Sequence, residues 1–182
     1  MKIGLMRHFK VKRSKKTFLT ADEFEELREN YKQAEPRADE GSNPKGEEVE
    51  WEKCFSSSLP RAKKTAGAVY NGEVIEKECL REVPLAPVTT KNIVLPHSLW
   101  LILGRLVHFF SHSSQPETRE ETKERARQCI AEILEQEESK ILVVTHGFLI
   151  RFLQKELLNR GFSGDKFTYA KHGDLYVFEK RE

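Results

Sequence analysis

The chain has 182 residues, 38% of them hydrophobic and 33% charged, and its 31 basic and 29 acidic side chains leave a formal net charge of +2. That length and apolar content predict one globular domain over residues 1–182 and exclude an intrinsically disordered chain. The near balance of charge gives no support to a nucleic-acid partner.

Cys54, Cys79 and Cys129 lie in no paired or metal-ligand spacing, which predicts reduced thiols. No signal-peptide pattern follows Met1-Lys2, so a cytoplasmic location is expected. The longest apolar stretch, Ile93 to Phe110, is broken by Pro96, His97, Gly104, Arg105 and His108. It is no membrane span, and no membrane partner is expected.

The first strand is predicted at Lys2 to Met6, delivering Arg7 and His8 at its carboxyl end. A basic segment follows (Lys10, Lys12, Arg13, Lys15, Lys16), read as a solvated loop face that could draw in an anionic substrate. Thr20 and Glu23 form a capping box for a helix from Ala21 to about Ala34, with Leu19 and Phe24 as its hydrophobic staple. The acidic, Gly/Pro-punctuated stretch from Pro36 to Glu50 reads as loop.

A strand at Lys53 to Ser56 leads to Ser58, the expected cap of a helix carrying Pro60 in its first turn and Arg61 beside it. Val74 to Cys79 alternates as a half-exposed strand. Arg81 to Pro96 reads as loop, and Ser98 to Phe110 as a buried or groove-lining helix. A polar helix is expected from Pro116 to about Glu137, its inner face made by Ala126, Cys129, Ile130, Ile133 and Leu134. The strand Ile141 to Thr145 then delivers His146-Gly147, followed by a helix from Phe148 to Asn159. Leu175 to Phe178 is a last short strand. This alternation predicts a layered α/β sheet with its site beyond the carboxyl ends of the strands, where His8 and His146 both fall.

An imidazole beside arginines suits phosphoryl transfer. Neighbouring cations keep the ring neutral and nucleophilic, and guanidinium forks match phosphate oxygens. Helix N-termini after the second strand and after His146-Gly147 offer further anion-binding amides.

These residues also fall in an ordered set of motifs: Arg7-His8-Phe9; Ser57-Ser58-Leu59-Pro60-Arg61-Ala62-Lys63-Lys64-Thr65-Ala66; Leu80-Arg81-Glu82; and Val144-Thr145-His146-Gly147-Phe148-Leu149-Ile150-Arg151. The set resembles the histidine phosphatase superfamily and covers most of the chain. The resemblance implies a phosphoglycerate mutase-like three-layer α/β/α sandwich with a mostly parallel central sheet. It implies a phosphatase that hydrolyses a phosphate monoester through a phosphohistidine on His8, with no cofactor and no metal. Arg7, Arg61, His146 and Gly147 would bind the phosphoryl group, His146 would also belong to the catalytic set, and Glu82 would serve as proton donor and then base. A small phosphorylated metabolite or a phosphoprotein is the expected substrate, and phosphate or sulfate should occupy the site. A phosphomutase is the rival enzyme, and a catalytically weak phosphate- or phosphoprotein-binding module the rival from another class.

Two positions depart from the family pattern: Phe9 stands where glycine is usual, and Ser14 where asparagine is common. Both become candidate pocket residues, with Phe9 expected to narrow the mouth. His108 and His112 have zinc-like i, i+4 spacing but no intervening Glu or third ligand, so a metal is not expected there. His97 is expected to cap the apolar helix, with a place in the substrate pocket as the other reading, and His172 to be structural; Trp100, Phe109 and Phe110 are expected to be core, with a place for one of them in the pocket roof as the alternative.

Overall fold

The computed structural model describes residues 1–11, 16–36, 49–89 and 93–180. In chain order the described elements are β1 (Lys2–Arg7), β2 (Phe18–Leu19), α1 (Ala21–Lys32), β3 (Lys53–Ser57), α2 (Pro60–Val69) and β4 (Val74–Lys77). A 3-10 turn at Glu78–Leu80 follows, then β5 (Leu95–Pro96), α3 (His97–Phe109), α4 (Arg119–Leu134), β6 (Lys140–Thr145), α5 (Leu149–Asn159), β7 (Ser163–Gly164) and β8 (Leu175–Glu179).

Local signals explain the helix ends. The capping box at Thr20 closes in both directions: the Glu23 amide donates to the Thr20 hydroxyl at 3.3 Å, and the Thr20 amide to the Glu23 carboxylate at 2.9 Å. Thr118 and Glu121 repeat the device at α4, so that helix starts three residues later than Pro116 suggested. Such caps contribute about 0.5–2 kcal/mol each. Ser58 is not the cap of α2. Leu59 holds that position with no side-chain bond, because Ser57 already supplies its hydroxyl to the Leu59 amide at 3.3 Å. α5 stops at Gly161, whose φ of +86° is the left-handed turn that glycine adopts without strain.

Among the described residues the strands form a six-stranded sheet in the order β4-β3-β6-β1-β8-β7, with β4, β3, β6 and β1 mutually parallel, β8 antiparallel to β1, and β7 antiparallel to β8. A second, two-stranded sheet pairs β2 with β5. Neither β2, β5 nor β7 was legible in the sequence, since two residues carry no periodicity.

Alternation along the strands splits the core into layers. Ile3, Leu5, Phe55, Ile141 and Val143 point to one face, where Ile130 and Ile133 of α4 and Ile150 and Leu153 of α5 cover them. Met6, Cys54, Leu142 and Val144 point to the other, against Ala62 and Ala66 of α2. The result is the expected α/β/α sandwich. A separate cluster joins Phe24 of α1, Leu85 and Trp100 of α3. Trp100 is core as expected, stacked 5.5 Å from Phe24 and donating to the Leu19 carbonyl at 2.9 Å. Phe109 and Phe110 are not core: they are 52% and 71% exposed at the end of α3.

Reduced thiols throughout is also corrected. Cys79 and Cys129 are disulfide-bonded with Cα atoms 5.8 Å apart, while Cys54 is free and buried. The pair lies 50 residues apart in sequence, a spacing that signals nothing locally. Its presence removes the thiol-based ground for a cytoplasmic location. Among the described residues no helix is long and apolar enough to cross a membrane.

Candidate active site

Parallel pairing assembles the site. β1 and β6 are neighbours in a register that sets Arg7 opposite Thr145, so the next residues, His8 and His146, emerge side by side. The His8 amide continues the ladder to the Thr145 carbonyl at 3.0 Å. The two rings lie 5.1 Å apart, centroid to centroid. β3, on the other side of β6, ends at Ser57 and turns into α2, whose first turn carries Arg61. The segment after β4 brings Glu82 to the same edge. Four adjacent strand ends thus contribute to one place.

His8 is buried, with Nδ1 2.6 Å from the Phe9 carbonyl. A carbonyl only accepts, so the ring proton sits on Nδ1 and the lone pair on Nε2. Burial first, then His146 and the Arg61 charge, hold its pKa well below the ordinary histidine value. His8 is therefore neutral at pH 7, with its free nitrogen turned to Arg61 Nε, which donates to it at 3.3 Å. The His172 ring donates from Nδ1 to the His8 carbonyl at 2.9 Å and buttresses the loop.

His146 is fully buried, and burial plus the charges of Arg61 and Arg7 likewise hold it neutral. Its Nε2 lies 2.7 Å from the Ser57 hydroxyl, whose oxygen also accepts the Leu59 amide. The other ring nitrogen, Nδ1, is buried and has no partner. Ser57 is a site residue that sequence reasoning treated only as part of a motif.

Arg7 donates from Nη1 to the Ala170 carbonyl at 2.8 Å, while its Nε is buried without a partner. Gly147 is where this guanidinium lies: a Cβ there would meet Arg7 Cζ at 2.6 Å and Nε at 2.8 Å. Arg61 is anchored by the Tyr31 carbonyl at 2.8 Å and lies over the Tyr31 ring at 4.6 Å. Neither arginine has a carboxylate within ion-pair distance among the described residues, so both remain available to an anion.

Glu82 is held by three amides: Val83 at 3.0 Å, Leu149 at 3.1 Å and Phe148 at 3.2 Å. The amides at the start of α5, expected to meet the substrate anion, are therefore engaged by a carboxylate of the chain. Burial pushes Glu82 up, but the Arg105 charge, the Phe148 and Leu149 amides and Arg28 together outweigh it, and the carboxyl is lowered overall. It is ionised at neutral pH.

These groups bound a pocket of about 320 Å³ lined by Arg7, His8, Arg61, Glu82 and Gly147, with Tyr31, Phe148 and Tyr169 as aromatic walls. His146, fully buried beside His8, is not among the residues that line it. Arg28, Arg105 and Arg151 also line the pocket. Arg151 closes the last of the quoted motifs without a role assigned to it, and no local pattern in the sequence marks Arg28 or Arg105.

Phe9 does not narrow the mouth. It is buried at 4% exposure, packed on Gly173, and its amide donates to the Thr65 hydroxyl at 2.9 Å. Its φ is not positive, so this position does not use glycine's conformational freedom. Ser14 lies outside the described residues, as do Lys12, Arg13 and Lys15 of the basic segment. His97 lines the pocket at the first position of α3, the second of its two readings, and Pro96 holds the cap position. His108 is buried with Nε2 3.0 Å from the Thr122 hydroxyl, and His112 bonds to Ser114. Among the described residues no cluster of His, Cys, Asp or Glu is placed to hold a metal ion.

Residues 33–179 match the model of the histidine phosphatase superfamily (branch 1). The chain belongs to that superfamily. The match begins after Arg7 and His8, and the strand pairing joins those residues to it. No curated protein matches the chain significantly. Among solved structures, an Escherichia coli K-12 protein proposed to be an alpha-ribazole-5'-P phosphatase superposes with a TM-score of 0.64 at 16% identity, covering 100% of this chain and 92% of its own. A mutant of Entamoeba histolytica phosphoserine phosphatase in complex with phosphoserine gives 0.61 at 18% identity, covering 99% and 91%. A mycobacterial glucosyl-3-phosphoglycerate phosphatase gives 0.54 at 18% identity, covering 87% and 79%. At these identities the likeness is one of fold.

Proposed function

We propose that the chain is a phosphatase that hydrolyses phosphate monoesters by way of a phosphohistidine on His8. The observation that carries the reading is the state of His8: a neutral buried ring with Nδ1 committed to the Phe9 carbonyl and Nε2 facing the pocket beside two arginines. The Arg7 and Arg61 guanidinium groups hold the phosphoryl oxygens, and Arg61 exchanges its bond to Nε2 for one to phosphate, which frees the lone pair. Fixed cationic donors stabilise the charge that spreads over the equatorial oxygens during transfer.

In the first step the Nε2–P bond forms, the P–O ester bond breaks, and the leaving oxygen takes a proton from Glu82. A bound phosphate dianion raises the carboxyl's proton affinity, so that Glu82 takes up from solvent the proton it then gives to the leaving oxygen. In the second step Glu82 takes a proton from water as its oxygen attacks phosphorus and the P–N bond breaks. The superfamily's phosphatase neighbours support hydrolysis as the outcome.

Rapid quench with a radiolabelled aryl phosphate tests this. Wild type is expected to yield a base-stable, acid-labile phosphoenzyme that is absent from His8→Ala. Equal labelling of the two proteins would overturn the assignment of His8.

A further inference from the structure

One side of α3 is apolar and faces solvent. Trp100, Gly104 and His108 point inward, and His97, Leu101 and Arg105 on the adjoining flank line the pocket. The opposite side carries Ile102, Leu106, Phe109 and Phe110, each more than half exposed. Their spacing of three and four residues makes a stripe along the helix. Arg105 is the one lysine or arginine of α3, and it is turned away from the stripe, donating to the Val83 carbonyl and lying over the Phe148 ring.

The approach to the helix continues this character. β5 runs directly into α3 and pairs with β2, and the His97 amide donates to the Thr17 carbonyl at 2.8 Å. Phe18 of β2 and Val94 ahead of β5 are more than half exposed, and Ile93 is exposed beside them. Among the described residues, every large exposed hydrophobic side chain except Tyr169 thus belongs to this one unit. Together they present roughly 800 Å², about what one partner contributes to a standard-size protein interface. Apolar residues scattered singly over a surface would need no explanation; a concentration of this size marks an interaction site.

Charge at the ends of the stripe says what covers it. Lys16 pairs with Glu23 beside β2. At the far end Arg119 lies 4.2 Å over the Phe109 ring, and the neighbouring Glu120 accepts from the Ser111 hydroxyl. Helices that lie in a lipid surface are flanked by Lys and Arg, and an anionic membrane repels carboxylates at the rim. An uncharged centre inside a rim of both signs suits a protein partner. The stripe also complements itself. Two copies of α3 crossing antiparallel about a two-fold axis bury the same residues on both sides and oppose their helix dipoles. The same crossing turns the Lys16–Glu23 end of one copy towards the Arg119–Glu120 end of the other.

We propose that the outer face of α3, with the β2–β5 approach, is a self-association surface through which two copies of this chain form a dimer. The interface runs beside the pocket wall that the same helix supplies. The proposal is independent of the chemistry at His8.

Sedimentation velocity of the full chain tests it, from about 1 to about 100 μM, a span that includes the weak end of interfaces of this size. A species of twice the 21.2 kDa chain mass is expected. Ile102→Glu and Leu106→Glu each place two unpaired carboxylates in the interface and are expected to weaken the dimer by about tenfold or more. Leu106→Ser adds no charge, and it should weaken the dimer by about threefold or more. The melting temperature of wild type should rise with protein concentration, and that of Leu106→Glu should not. Circular dichroism checks that each variant folds.

A wild-type monomer throughout the range overturns the proposal. A dimer whose dissociation constant is unchanged in all three variants overturns its assignment to α3. A monomer that floats with vesicles of phosphatidylglycerol and phosphatidylcholine, and loses them in Leu106→Glu, makes lipid the occupant and overturns the second copy.

Discussion

Gly147 and Phe9 show how a single position can mislead or inform. Glycine at 147 is required by contact, because the Arg7 guanidinium crosses the space a Cβ would fill at 2.6 Å. Gly147→Ala must displace Arg7, and kcat/KM toward an aryl phosphate is expected to fall by about tenfold or more, as for loss of one charged donor; unchanged kinetics would mean that Arg7 does not hold the substrate. Phe9 looked like a specificity residue and is a packing residue. Phe9→Gly is expected to lower stability by about 3–5 kcal/mol through the cavity it leaves. Urea denaturation measures this, and a substrate panel should keep its ranking. A reordered panel with unchanged stability would reverse the assignment.

The segment after β4 depends on its neighbours for position. The Thr145 hydroxyl donates to the Leu80 carbonyl at 2.8 Å, and Arg125 of α4 donates to the carbonyls of Cys79 at 2.6 Å and Arg81 at 2.9 Å. The Cys79–Cys129 bond fastens the same turn to α4, just ahead of Glu82. Thiol titration of the denatured, unreduced protein should therefore find one free thiol, from Cys54, and three after reduction. Cross-linking across 50 residues restricts the unfolded chain, and reduction should lower stability by about 2–4 kcal/mol. Three free thiols before reduction would remove the bond from the account.

At the scale of the molecule, the site places two neutral histidines in the core. Both His8 and His146 bind protons less readily folded than unfolded, where the ordinary value is 6.5. The unfolded chain thus takes up protons first as pH falls, so stability is undiminished above about pH 7 and declines progressively below 6.5. Each histidine should add about 1.4 kcal/mol of lost stability per pH unit well below 6.5. Urea midpoints between pH 7.5 and 5.5 measure the slope, and His146→Gln should make it shallower. Side chains supply the positive charge of the site, so phosphatase activity is expected to survive EDTA. Loss in the chelator with recovery on adding a divalent ion would count against the mechanism.

Much of the site was readable because its chemistry sits next to strong local signals. Arg7-His8 and His146-Gly147 end apolar strands, Arg61 follows Pro60 in a first turn, and capping boxes mark α1 and α4. These depend on neighbours along the chain, so the sequence by itself determined the layered α/β class and the residues with catalytic potential. Contacts between distant residues were invisible. Arg61 reaches His8 across 53 positions and Arg7 reaches Ala170 across 163. Only the tertiary structure decided that β1 lies beside β6 in the register that pairs His8 with His146. It also buried Phe9, joined Cys79 to Cys129, engaged the α5 amides with Glu82, and brought Arg28 and Arg105 to the pocket. Such outcomes follow from packing, which acts between surfaces and leaves no periodic trace in the chain.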